Sequence, residues 1–249
     1  MKVLLAGESW FIYSVHQKGF DSFTSGEYEE GRKWLENALT SGGVTMDYIP
    51  NHLAATQFPS SMQALREYDV VILSDIGSNT LLFHPRTVKL SEIMPNRLRL
   101  LRDYVAQGGG FVMCGGWMSY QGIEAKANYK GSPIEELLPV ELMSKDDRVE
   151  VPEGFTPQVV DQGHPVMKGM PAQWPAFLFY NRFTLKPGAT ELARNGTDPV
   201  IAVRSFERGR SMAFAMDIAP HGATPEFLEG DLFKKFWLQA VHWLAGERK

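Results

Sequence analysis

The chain opens on an unbroken apolar run, Val3-Leu4-Leu5-Ala6, that stops at Gly7. A run of this kind marks a strand buried on both faces of a parallel sheet. Two more follow, Val70-Val71-Ile72-Leu73 before Ser74-Asp75-Ile76-Gly77, and Phe111-Val112-Met113-Cys114 before Gly115-Gly116. Between these runs the period becomes helical. After a polar stretch from Glu8 to Gly26, Thr24 and Glu27 have the spacing of a capping box. Tyr28, Trp34, Leu35, Ala38 and Leu39 continue at helical intervals to Gly42-Gly43, which predicts one helix over that span. Residues 44–49 alternate as a short strand, and residues 65–68 close a short helix. Leu98, Leu101 and Val105 mark the buried face of a helix from near Pro95 to Gln107, stopped by Gly108-Gly109-Gly110.

From Trp117 to about Val149 the pattern predicts loop with short helical pieces, such as residues 134–138. The Pro- and Gly-containing stretch from Val149 to Glu191 predicts short strands and turns. Residues 199–204 and 211–216, around a turn at Arg208-Gly209, predict a β-hairpin. Leu232, Phe233, Phe236, Trp237, Ala240, Val241 and Leu244 share one face of a terminal helix that ends at Gly246. Strands alternating with helices imply parallel pairing through right-handed crossovers, with the hairpin adding antiparallel strands at one side. No repeat, low-complexity tract or linker interrupts the chain, so a single α/β domain over residues 1–249 is expected.

Composition narrows the function classes. With 44% apolar and 22% charged residues, the 249-residue chain can bury a substantial core. A net charge of -4 without a basic stripe argues against nucleic acid. The apolar runs fall short of the ~20 residues that span a bilayer, and Glu8 follows Met1 too closely for a signal peptide. A single cysteine, Cys114, excludes an internal disulfide and fits a cytoplasmic location. No paired-Cys, HxH or HExxH spacing occurs, and the triple glycine lacks a dinucleotide or phosphate-loop pattern. No metal or cofactor is therefore expected.

Ligands of open parallel sheets bind beyond the carboxyl ends of the strands. Those ends carry Glu8, Ser9 and Trp10; Ser74, Asp75 and Gly77; Cys114, Gly115 and Gly116; and Asp217, Pro220 and His221. A nucleophilic thiol at Cys114 needs an imidazole or a helix N-terminus to lower its pKa, and His221 could serve, oriented by Glu226 or Asp217. A lone cysteine is equally ordinary core filling. His16 and Lys18, in the polar stretch, could hold an anionic group or simply be solvated. Trp10, Phe11, Tyr13, Trp117 and Tyr120 could line a pocket or form the surface of a homo-oligomer.

Four segments carry a family resemblance: Leu5-Ala6-Gly7-Glu8-Ser9-Trp10 with Lys18-Gly19-Phe20-Asp21, residues 108–116, His164-Pro165-Val166-Met167-Lys168-Gly169-Met170, and Asp217-Ile218-Ala219-Pro220-His221. On these the chain resembles class I glutamine amidotransferase-like proteins, particularly the branch described as "putative glutamine amidotransferase", and more distantly trehalose-utilisation-like proteins. The resemblance implies a flavodoxin-like three-layer sandwich and a Cys-His-Glu machine acting on a small polar substrate. Cys114 would attack the side-chain amide of glutamine, with His221 as base and Glu226 as the nearest downstream carboxylate. The loop at Ser74-Asp75-Ile76-Gly77 would supply the oxyanion site, beside Gly115 and Gly116. Glu8, Trp10 and His16 would complete the substrate pocket. The sequence departs from the family pattern: Val112 replaces the first glycine of the nucleophile turn, Met118 stands where glutamine is expected, and Gly222-Ala223 replaces the H-x-E continuation. The alternative is a non-catalytic small-ligand-binding or oligomeric structural protein on the same fold.

Overall fold

The computed structural model describes residues 1–246. Its strands are β1 (Lys2–Gly7), β2 (Ser9–Lys18), β3 (Asp21–Glu30), β4 (Thr45–Ile49), β5 (Val70–Ser74), β6 (Gly110–Cys114) and β7 (Val140–Leu142). There follow β8 (Arg148–Phe155), β9 (Gln158–Val159), β10 (Phe177–Asn181), β11 (Phe183–Leu185), β12 (Thr190–Asn195), β13 (Asp198–Phe206) and β14 (Gly209–Phe214). Eight of them form one sheet in the order β4-β1-β5-β6-β14-β13-β12-β9. The first five run parallel. The remaining three add antiparallel pairing at one side. This is the flavodoxin-like α/β arrangement, with the C-terminal hairpin β13–β14 placed as the sequence pattern expects.

The continuous apolar runs are the centre of the sheet. Residues Val3–Ala6, Val70–Leu73 and Phe111–Cys114 are each essentially without exposed surface. Burial of that kind stabilises by about 25 cal/mol per Å² of apolar area. The terminal helix Asp231–Ala245 buries Phe233, Phe236, Trp237, Ala240, Val241 and Leu244, the face its period predicted, and packs on the helix Lys33–Ser41. The helix Arg97–Ala106 starts at Asn96, whose side chain accepts from the Arg99 N–H. Arg97 is fully buried, and its guanidinium donates to the carbonyls of Ala54, Ala55, Thr80 and Leu81. One cation thereby satisfies the carbonyl ends of two short helices, Asn51–Gln57 and Ser78–Leu82, where the backbone leaves acceptors without partners.

The polar stretch after β1 is the main departure from expectation. Residues 9–30 form a ten-pair antiparallel ribbon, β2–β3, that stands away from the sheet. The predicted helix begins only at Lys33, so Thr24, Glu27 and Tyr28 are strand residues and the capping-box spacing is fortuitous. At the root of the ribbon Gly31 donates its N–H to the Glu8 carbonyl, 2.9 Å away. A Cβ there would lie 2.6 Å from Ala219 and 2.7 Å from the Glu8 carboxyl, so only glycine permits this approach. Tyr120, expected on an oligomer surface, is instead buried, its hydroxyl donating to the Met113 carbonyl at 2.6 Å.

Candidate functional site

The carboxyl ends of β1 and β5 are drawn into unusual backbone. Glu8 and Asp75, directly after the two strands, have φ of 50° and 46°. Non-glycine residues held in this left-handed region mark strain that the surroundings must enforce. The enforcing contacts come from Asn51 and Ser119. The Asn51 side-chain amide donates to the carbonyls of Ser9 (2.6 Å) and Asp75 (2.9 Å), and its backbone N–H donates to the Ser9 hydroxyl. The Asp75 N–H donates to the Ser119 hydroxyl. His221, after β14, is a third residue in strained backbone, with φ of 151°.

These ends surround a crevice of about 520 Å³ lined by Glu8, Trp10, Ile12, Glu29, Asp75, Trp117, Met118, Ile123, Asp217, Pro220 and His221. The His221 Nδ1 is 3.1 Å from an oxygen of the buried Asp217. The other Asp217 oxygen accepts from the Ile218 N–H, which fixes the carboxylate. The indole of Trp117 meets the imidazole edge-on, with centroids 4.8 Å apart, and the Phe179 ring also packs against it, at 5.4 Å. The Asp217 contact holds the His221 pKa above its ordinary value, against the opposing effect of burial. Asp75 is raised to about 6 by burial and by Asp217, partly offset by the Met118 N–H, which donates to its Oδ1 at 2.6 Å. Glu8 is also raised, chiefly by burial and then by Asp217 and Asp75, while the Ser74 hydroxyl donates to its Oε2 at 2.5 Å. The crevice therefore holds two carboxyl groups that keep their protons to higher pH than usual, beside an imidazole that keeps its charge to higher pH than usual.

Cys114 is treated differently. It is the last residue of β6, has no exposed surface, and burial pushes its thiol well above the usual range, reinforced by the charges of Glu8 and Asp217. It is absent from the residues lining the crevice. It is also absent from the positions with left-handed backbone, so it does not sit on the tight turn that would present a nucleophile. The backbone donors that would hold an oxyanion are engaged: Gly115 N–H donates to the Met216 carbonyl (2.8 Å) and Gly116 N–H to the Asn181 Oδ1 (3.0 Å). A Cβ on Gly115 would lie 2.1 Å from the Ala215 carbonyl oxygen, so this glycine serves close backbone packing. Gly77 precedes the helix Ser78–Leu82 and packs near Met118.

The remaining expected residues divide. Trp10 does reach the crevice and donates its indole N–H to Glu29 at 3.1 Å. Glu226 lies exposed on the short helix Pro225–Leu228, and the carboxylate that meets His221 is Asp217, four residues upstream. His16 lies out on the ribbon, stacked on Phe23 at 4.5 Å, and takes no part in the crevice. Sequence reasoning did not single out Asn51, nor the buried pair Asp147 and Asn181. The Asn181 amide bridges the Gly116 backbone to Asp147, whose carboxylate also accepts from the Gln121 and Gly122 N–H groups. Together they fix the loop that carries Trp117. No short motif signals this pair, because its members are 34 residues apart. Among the described residues no group of three or more His, Cys, Asp or Glu is arranged to hold a metal ion, and no helix is long and apolar enough to cross a membrane.

The family model described as "Putative glutamine amidotransferase" matches residues 2–246. The chain belongs to this glutamine amidotransferase-like family. Its solved relatives include the Salmonella typhimurium cytoplasmic proteins STM3548 and STM1381, 41% and 42% identical, each with a TM-score of 0.94 over 98% of this chain and 99% of theirs. A ThuA-like protein from Bacteroides uniformis shares the fold at 14% identity, with a TM-score of 0.59 over all of this chain and 92% of its own. No curated protein matches the chain at a significant level. In this family member the strand ends bring Glu8, Asp75, Asp217 and His221 together and leave the cysteine inside.

Proposed function

We propose that this family member binds a small polyhydroxylated ligand of the sugar class in the crevice, and that proton chemistry there runs through His221, Asp217 and Asp75 rather than through Cys114. The single observation that carries the reading is the separation of the two groups: the imidazole–carboxylate pair lines the crevice while the sulfur has no exposed surface. The indoles of Trp10 and Trp117 offer flat apolar faces, and the carboxyl groups around them both donate and accept hydrogen bonds, because Glu8 and Asp75 hold protons to higher pH than usual. With four acidic residues and one imidazole on the lining, a ligand of net negative charge is disfavoured. His221, held at Nδ1 by Asp217, keeps Nε2 as the nitrogen that can take or give a proton. The lone thiol and the cytoplasmic relatives support a cytoplasmic location.

A thermal-shift panel of neutral sugars and polyols, cationic amines and amino acids tests this. A neutral sugar at a hundredfold excess over its Kd is expected to stabilise the fold by ~2.7 kcal/mol, with quenching of tryptophan emission. The response should survive Cys114→Ser and disappear in Trp117→Ala. A panel in which only glutamine or amines respond, or a glutamine-mimicking electrophile that labels Cys114 of the folded protein, overturns the reading.

A further inference from the structure

Two segments of the chain carry large apolar side chains with nothing over them. The first is the ribbon β2–β3. Its two faces differ: Trp10, Ile12, Glu27 and Glu29 lie on one, whose root forms the crevice wall, whereas Phe11, Tyr13, Val15 and Tyr28 lie on the other. On this second face Phe11 packs on Tyr28 with the rings tilted and their centroids 4.8 Å apart, and both rings meet His52 edge-on. Beyond His52 the face is open. Tyr13 is 77% exposed, lying across Gly26, and Phe20 at the tip is fully exposed. An isolated two-stranded ribbon is marginal in water without cover.

The second segment is residues 83–93. Its helix, Pro85–Leu90, buries no residue at all. Phe83, Val88, Leu90 and Ile93 are at least half exposed, Ile93 completely.

We infer that the ribbon is a dimerisation arm: its aromatic face docks on residues 83–93 of a second copy of this chain, and the second copy's arm returns the contact across a two-fold axis. Size supports a pair of copies over a smaller partner. Ten residues at ~3.3 Å each make an arm of about 33 Å. With Tyr13 and Phe20 largely or fully exposed and Phe11 and Tyr28 already about half covered, two arms offer about 800–1,400 Å² at ~150–250 Å² per aromatic; with the Phe83, Val88, Leu90 and Ile93 surface they would cover, this reaches the ~1,200–2,000 Å² of a stable interface. A two-fold contact uses each patch once in each copy, so the assembly closes at two.

Sedimentation velocity on three proteins tests this: wild type, an arm variant (Tyr13→Ser with Phe20→Ser) and a patch variant (Val88→Ser with Leu90→Ser). Because every substituted side chain is exposed, far-UV circular dichroism and Tm should match wild type. The expected result is a dimeric wild type, two monomeric variants, and partial return of dimer when the variants are mixed, since one arm–patch contact is then intact. Wild-type protein that stays monomeric from micromolar to near-millimolar concentration overturns the inference. A dimer that persists in either variant also overturns it, as does a wild-type monomer that co-floats with phosphatidylcholine vesicles through the arm. The readout is mass, so its outcome is independent of whether the crevice takes a sugar.

Discussion

At the end of β6 the Cys114 sulfur is enclosed and its thiol is held neutral. At the ends of β1, β5 and β14, Glu8, Asp75 and His221 line a crevice of about 520 Å³. The strands are neighbours in one sheet, and Ser74 sits between the two regions, donating to Glu8 and lying near enough to the thiol to lower its pKa. What differs is the backbone just past each strand. After β1 and β5 the chain turns through left-handed conformations that swing the carboxyl groups outward. After β6, Gly115 stays hydrogen-bonded to Met216 and carries the ladder one residue further. A cysteine at a strand end is therefore not presented by its position alone; a turn must lift it, and here the turn lifts acids instead.

The largest blow to this division should come from Asn181→Ala. It takes one of three donors from the buried Asp147 carboxylate and strips the Gly116 N–H and carbonyl of the Asn181 side chain, and each unsatisfied buried group costs about 1–3 kcal/mol. Urea unfolding should register a loss of about 3 kcal/mol, and ligand binding should weaken because the Trp117 loop is released. Unchanged stability would mean that the loop is held by something else.

Asp75→Asn should have an effect of the opposite sign at neutral pH. The folded-state pKa of Asp75 is raised to about 6 from 3.8, so the folded protein holds a proton that the unfolded chain releases. Its contribution to stability is greatest below about pH 4 and falls as pH rises to about 6. His221, raised by Asp217, adds a fall in the same direction at higher pH. Asparagine keeps an acceptor for the Met118 N–H and removes the first fall. The variant should gain on the order of 2 kcal/mol relative to wild type at pH 8 and little at pH 4. Parallel stability–pH curves for the two proteins would refute the assignment.

Cys114→Ala should be the mildest: a loss on the order of 1 kcal/mol from one buried sulfur, with ligand response intact. A lost response at unchanged Tm would reopen the thiol.

Legibility in the sequence followed the strength of the local pattern. The terminal helix repeats its apolar face over four turns, and the central strands are unbroken apolar runs, so both were readable. The ribbon was not. Its alternation places Trp10 and Ile12 on one face and Phe11 and Tyr13 on the other, so neither face is plainly polar, and Thr24 with Glu27 imitates a helix start. Within the site, Glu8 and Asp75 were readable because they directly follow strands, and His221 because it lies in the turn beyond the last one. Of the two carboxylates that the sequence offered for His221, Glu226 followed from a family spacing that this chain lacks, and Asp217 is the one that lies against the imidazole. Asn51, Asp147 and Asn181 act across tens of residues, a distance no short pattern encodes.

The root of the ribbon has a mechanical consequence. Trp10, Ile12 and Glu29 belong both to the crevice wall and to a stem about 33 Å long, rooted where the Gly31 N–H donates to the Glu8 carbonyl. On a stem of this length a rotation of about 10° at the root would carry Phe20 through roughly 6 Å, while shifting Trp10 by only a fraction of that. Tip and crevice wall are thus the long and short ends of one element, and any displacement of the wall would be magnified at the tip.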